Sequence, residues 1–170
     1  KISLRRMVTI DDVAAMALAD AGFPMAEAIT YFARAMGGAR SGDTAAAQPV
    51  IEKLKEQRAA LEKAGQGYWA GQVEIQILGA QAWTAQGQGN KSEAIKLMRS
   101  AAELEDASEK HVAMENRLYP MRELLADMLM VQGESVAALK EYETSLKNAP
   151  MRLRGFYGAA KAAEYSRAFK

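Results

Sequence analysis

A glycine followed five residues later by an alanine occurs three times in equivalent surroundings: Gly42 and Ala47, Gly89 and Ala94, Gly133 and Ala138. Each glycine lies between two stretches of helical periodicity, where a turn with positive φ costs glycine little. Each alanine falls in the first turns of the second stretch, where a small side chain lets the preceding helix come near. A helix-turn-helix unit that recurs in this way cannot cover its own apolar face and must stack on its neighbours. The glycines are 47 and 44 residues apart, so the units are long and unequal.

The punctuation between these turns predicts eight helices and no long strands. Thr9, Asp11 and Asp12 open the first, which ends at Gly22. Pro24 opens the second, which stops at Gly42 and carries Ile29, Phe32, Ala33 and Met36 as its stripe. Asp43 or Thr44 caps a third helix that runs to Lys63, with Val50, Ile51, Leu54, Arg58 and Leu61 on one face. Pro49 lies beyond its first turn, which predicts a distorted or delayed start. A fourth helix covers Tyr68 to Gln86. Gly71 and Gly79 weaken it by about 1 kcal/mol each relative to Ala, and suggest close helix contact. Asn90 and Glu93 form an N-x-x-E start for a fifth helix, to Glu105. Residues Asp106 to Tyr119 are charged and aperiodic and read as a long loop. Pro120 opens a sixth helix to Gln132, Ser135 caps a seventh to Lys147, and Arg152 to Arg167 form the eighth. Mostly short loops imply antiparallel neighbours packed in pairs.

Composition agrees. The charged fraction is 25% and the apolar fraction 49%, ordinary for a globular chain. Aromatics are only 7% while Ala abounds, which favours helices packed through small side chains over a β-sandwich. The 22 basic and 21 acidic residues are mixed along the chain, with no basic block of the kind that binds nucleic acid. Zero cysteines exclude disulfides and thiolate metal sites, and fit either the cytoplasm or the periplasm, the cytoplasm being the expected location. The longest uncharged run, Ile75 to Asn90, is too short and polar to span a bilayer, so no membrane role is expected. No secretory signal is visible, and the first residue is Lys, as in a chain whose leader or upstream region has been removed.

The unit ending at Pro150 resembles a tetratricopeptide repeat. With Pro150 as the closing proline of the ~34-residue motif, the unit begins at Tyr119. The family's small and apolar positions fall on Leu125, Ala126 and Leu129 in helix A, Gly133 at the turn, and Ala138, Tyr142 and Ser145 in helix B. Arg122 replaces the usual large apolar residue and Ser145 the usual Ala. The following helix fits as another helix A, with Phe156 at the large position, Ala159 and Ala160 at the close-contact pair, and Ala163 later. Its helix B is missing, so it would serve as a cap. The resemblance implies an all-α fold of antiparallel hairpins stacked as a right-handed α-solenoid. It divides the chain into an N-terminal helix pair (9–41), degenerate repeat helices (43–86 and 67–105), a loop (106–119), the best unit (119–152) and a C-terminal helix (153–170). The chain is also similar to the C-terminal portion of larger bacterial tetratricopeptide proteins.

The same resemblance places Glu123, Asp127 and Met130, then Arg154, Tyr157 and Lys161, on the concave groove, where the family commonly holds an extended peptide or partner helix. Arg154 and Lys161 are seven apart and share a face with Tyr157, a combination suited to an acidic peptide or a C-terminal carboxylate. One family subgroup holds carboxylates with a Lys and an Asn. Glu123 and Asp127 stand at those positions with the wrong charge. Trp83, beside Tyr68 and Trp69 on one helix, is expected to fill the core, as are most of the ten methionines, among them Met16, Met36 and Met98. His111, the single histidine, follows Glu103, Glu105, Asp106 and Glu109, too few nitrogen ligands or oriented nucleophiles for a metal or catalytic site. No phosphate loop or hydrolase motif is present.

The expectation is therefore a non-catalytic scaffold with no cofactor or metal, binding a protein or peptide. The alternatives are a helical enzyme or small-ligand domain near His111 and the 106–119 loop, and self-association through the C-terminal helix, whose apolar face lacks a partner.

Overall fold

The computed structural model describes residues 22–108 and 119–168, and these form seven α-helices and no strand. They are α1 (Pro24–Ser41), α2 (Thr44–Lys63), α3 (Gly67–Gly87), α4 (Lys91–Ala107), α5 (Met121–Val131), α6 (Ser135–Asn148) and α7 (Leu153–Ala168). The helix expected from Thr9 to Gly22 lies almost wholly outside the described residues, as do Met16 and His111.

The turn glycines do what their backbone freedom allows. Gly42, Gly89 and Gly133 have φ of 93°, 84° and 86°. At Gly133 the amide donates to the Met130 carbonyl and the Glu134 amide to that of Leu129, 3.1 and 2.9 Å away. Gly89 and Asn90 repeat the pattern on Gln86 and Ala85. Both turns thus close the preceding helix by satisfying its last carbonyls. The alanines that follow, Ala47, Ala94 and Ala138, are completely buried.

Consecutive helices pack on each other throughout the described chain. In addition α1 packs on α3, α3 on α5 and α5 on α7, whereas α2, α4 and α6 make no such contacts among themselves. The odd-numbered helices therefore form one continuous layer. Gly79 on α3 lies inside it: a Cβ there would stand 3.1 Å from the Met121 sulfur of α5 and 3.5 Å from the Phe32 ring of α1. Its companion Gly71 faces open space. Two apolar clusters result. One holds Ala28, Ala35, Val50, Ile51, Leu54, Leu61 and Val73 between α1, α2 and α3. The larger runs from Met36 and Trp83 through Met98, Leu125 and Met128 to Tyr142 and Ala162.

Several local expectations are corrected. α2 begins at Thr44, where the Asp43 carboxylate accepts from the Ala46 amide at 3.0 Å, and continues through Pro49, which is exposed. Asn90 sits at the start of α4 without making a side-chain cap, and α6 starts one residue after Glu134, with Ser135 already helical and buried. α4 extends to Ala107, so Asp106 is helical, not part of a loop. Ile29 lies at an exposed edge of α1, whose buried face is Ala28, Ala35, Met36 and Ala39. On α7 the buried stripe is Gly155, Gly158 and Ala162, which leaves Phe156 and Ala160 exposed where contact positions were expected.

Candidate functional site

Asp127, halfway along α5, draws together three other helices and the segment that leads into its own. Its Oδ2 accepts hydrogen bonds from the Tyr119 hydroxyl (2.7 Å) and the Arg154 guanidinium (2.5 Å), and its Oδ1 accepts one from the Tyr142 hydroxyl (2.6 Å). The Arg40 guanidinium, at the end of α1, lies 3.9 Å from Oδ2. Arg40 sits in the last turn of α1, where the helix dipole favours a cation. Arg154 sits in the first turn of α7, where the dipole disfavours one, and the Asp127 carboxylate offsets that cost. Burial, reinforced by the negative charge of Asp127, raises the pKa of both tyrosines well above the usual phenol range, so both remain donors at neutral pH.

Each cation at the site also lies over an aromatic ring. Arg40 is 4.4 Å from the Trp83 ring centroid, Arg154 is 4.8 Å from that of Tyr119, and Lys161 is 5.2 Å from that of Tyr157. Trp83 is buried, as expected of a core residue, and its indole nitrogen has no hydrogen-bond partner. A hydrogen bond that Lys161 donates to the Tyr157 oxygen raises its pKa, so it stays charged.

These side chains line a groove of about 500 Å³ between α1, α5, α6 and α7. Its charged lining is Arg40, Asp127, Arg154 and Lys161, and its apolar lining includes Met130, Val131, Tyr157 and Tyr165. Gly158 lets α7 approach α6 at the floor: a Cβ there would stand 2.4 Å from the Tyr142 ring. Of the six residues expected in a groove, Asp127, Met130, Arg154, Tyr157 and Lys161 line this one. Glu123 does not. It is completely buried, accepting a 2.6 Å hydrogen bond from Arg152, and a Cβ on Gly155 would lie 3.4 Å from its carboxylate.

The residues that sequence reasoning missed are Arg40, Tyr119 and Tyr142. Tyr142 was legible as a core residue but not as a hydroxyl donor, and Arg40 comes from a helix more than eighty residues away in the chain. A second charged network joins α4, α5 and α6. Arg122 bridges Asp106 and Glu141, and Arg99 reaches Glu141 at 3.3 Å. This accounts for an arginine where a large apolar residue was expected: its guanidinium ties three helices together.

Among the described residues no group of three His, Cys, Asp or Glu side chains is placed to hold a metal ion, and no helix is long and apolar enough to cross a membrane. Comparison with family models, curated proteins and solved structures finds no match.

Proposed function

We propose that the helices stack as a tetratricopeptide-like right-handed solenoid and that the protein is a non-catalytic scaffold, holding an extended segment of a partner protein in the groove beside Asp127. The packing of each odd-numbered helix on the next, with no close backbone approach between even-numbered helices, supports the stacked arrangement. The groove itself carries the functional reading. It is open, it is lined from three helices of the continuous layer, and it mixes rigid aromatic side chains with fixed charges, the combination that peptide-binding surfaces use. Asp127 fits a structural role better than a catalytic one, because its oxygens are occupied by donors from the protein itself.

Panning a displayed library of random peptides on the protein tests this reading. Groove-dependent binders are expected, and their affinity should fall at least about tenfold with Tyr157→Ala combined with Lys161→Glu, two exposed changes that leave the fold intact. Peptides that bind both forms equally would place recognition elsewhere.

A second reading, self-association, draws on the outer face of α7 and the turn before it. Met151 and Leu153 are each 85% exposed and Phe156 53%. Light scattering over a concentration series, repeated with Leu153→Glu, decides it: a mass that rises with concentration and is abolished by the substitution is the expected sign.

A further inference from the structure

Three cations and one carboxylate line the groove, which leaves two positive charges in excess. The carboxylate is largely taken up by the protein's own donors. Asp127 already accepts from Tyr119, Tyr142 and Arg154, close to the capacity of its two oxygens. The cations differ from one another. Arg154 is committed to Asp127, while Arg40 stands off at 3.9 Å and Lys161 is exposed, held against Tyr157. A cation resting on an aromatic face has less rotamer freedom left to lose when it takes up an anion. Met130, Tyr157 and Tyr165 supply apolar surface in the same groove.

Resting on the scaffold reading, we propose that the occupant is an acidic peptide segment: carboxylate side chains that pair with Lys161 and Arg40, and an apolar side chain set against Met130 and Tyr157. Asp127 acts as the selectivity element. By consuming Arg154 and two hydroxyls it leaves the groove without a spare negative charge, so a basic segment meets the excess cations, and an amide-rich one gains only the weaker hydrogen bonds of a neutral carbonyl.

The composition of the peptides recovered by panning reads this directly. Groove-dependent binders are expected to be enriched in Asp and Glu around an aliphatic or aromatic residue. Replacing those acids by Asn and Gln in synthetic fluorescein-labelled copies is expected to weaken binding at least about tenfold, by anisotropy. The difference should shrink as salt rises. Lys161→Gln and Arg40→Gln should each remove most of the preference for acid over amide, and Arg40→Lys, which keeps the charge, should retain it. Thermal melts check that each variant is folded.

Groove-dependent peptides without acidic enrichment, or equal affinity for acid and amide forms, overturn the inference and leave the scaffold reading standing. Failure to recover any groove-dependent peptide overturns both. If double-stranded DNA or phosphatidylserine vesicles displace the acidic peptide at lower charge concentration than the unlabelled peptide does, the groove is a general polyanion surface and the inference also falls.

Discussion

On α2, Lys53 pairs with Glu56, Lys55 with Glu52 and Arg58 with Glu62, all between exposed side chains three or four residues apart. Around α5 the pairs join different helices and have one buried or nearly buried member. Glu123 is fully buried against Arg152, Asp127 is 13% exposed against Arg154, and Glu141 is 12% exposed against Arg122. The apolar packing explains the contrast. Between α1, α2 and α3 the core is supplied by Val50, Ile51, Leu54, Leu61, Val73 and Ile77, and among the described residues only the Arg58–Glu74 ion pair links two of these helices. The C-terminal helices approach through Gly155, Gly158 and Ala162, which contribute little apolar area. Their relative placement therefore rests more heavily on hydrogen-bonded charges, which also shape the groove.

The sharpest way to break this comparison is Asp127→Ala. It strands two buried hydroxyls and a guanidinium, so unfolding free energy should fall by about 2–4 kcal/mol, with Asp127→Asn losing less. Denaturant titration measures it. A loss below about 0.5 kcal/mol would show that the network is decoration on a core sufficient without it.

Next in size is Gly158→Ala. The added carbon would stand 2.4 Å from the Tyr142 ring, whose hydroxyl is tied to Asp127, so the ring cannot swing aside freely. The expected cost is about 1–3 kcal/mol. Gly71→Ala, in a helix with open space at that position, should instead be neutral or stabilising by up to about 1 kcal/mol. Equal effects at the two sites would refute the claim that the approach of α7 to α6 depends on the missing side chain at Gly158.

How much of this was legible in the sequence follows from what each residue needs. Gly133 and Ala138 answer to local geometry, and a single helix-turn-helix unit is enough to read them. Leu125, Leu129 and Tyr142 answer to the face of their own helix, which periodicity gives, and all three are buried. Glu123 and Asp127 lie one turn apart on the same helix, and periodicity treats them alike. What separates them is a neighbour: Arg152 covers the first, and Tyr119, Tyr142 and Arg154 surround the second at the edge of the groove. Arg40 joins the site only because α1 packs on α3 and α3 on α5. Such partnerships are properties of the stack, and no window along one helix contains them. Phe156 was placed a step away from its true environment for a related reason. The family resemblance keys on large residues along that helix, whereas the contact with α6 is made through glycines.

A third effect is one of pH. Burial and then Asp127 raise the phenol pKa values of Tyr119 and Tyr142 in the fold. The unfolded chain therefore releases these protons first, at its ordinary pKa of about 10. Their contribution is complete below that pH and is lost as pH climbs above it toward the folded values. Urea titrations between neutral and alkaline pH should show stability falling above about pH 10, and a shallower fall for Tyr142→Phe.

The smallest expected effect completes the contrast. Lys53→Ala and Lys55→Ala each remove an ion pair of 2.6 or 2.9 Å, within half an ångström of the 2.5 Å Arg154–Asp127 pair. Both partners remain hydrated, and the side chains lose entropy when they pair. Each substitution should therefore change stability far less than Asp127→Ala does, and Ala's helix propensity offsets part of even that. If distance alone set the strength of an ion pair, these variants would match Asp127→Ala. A difference of several-fold between them, measured in one buffer by the same denaturant titration, attributes the strength of the C-terminal network to burial and to donors converging on one carboxylate.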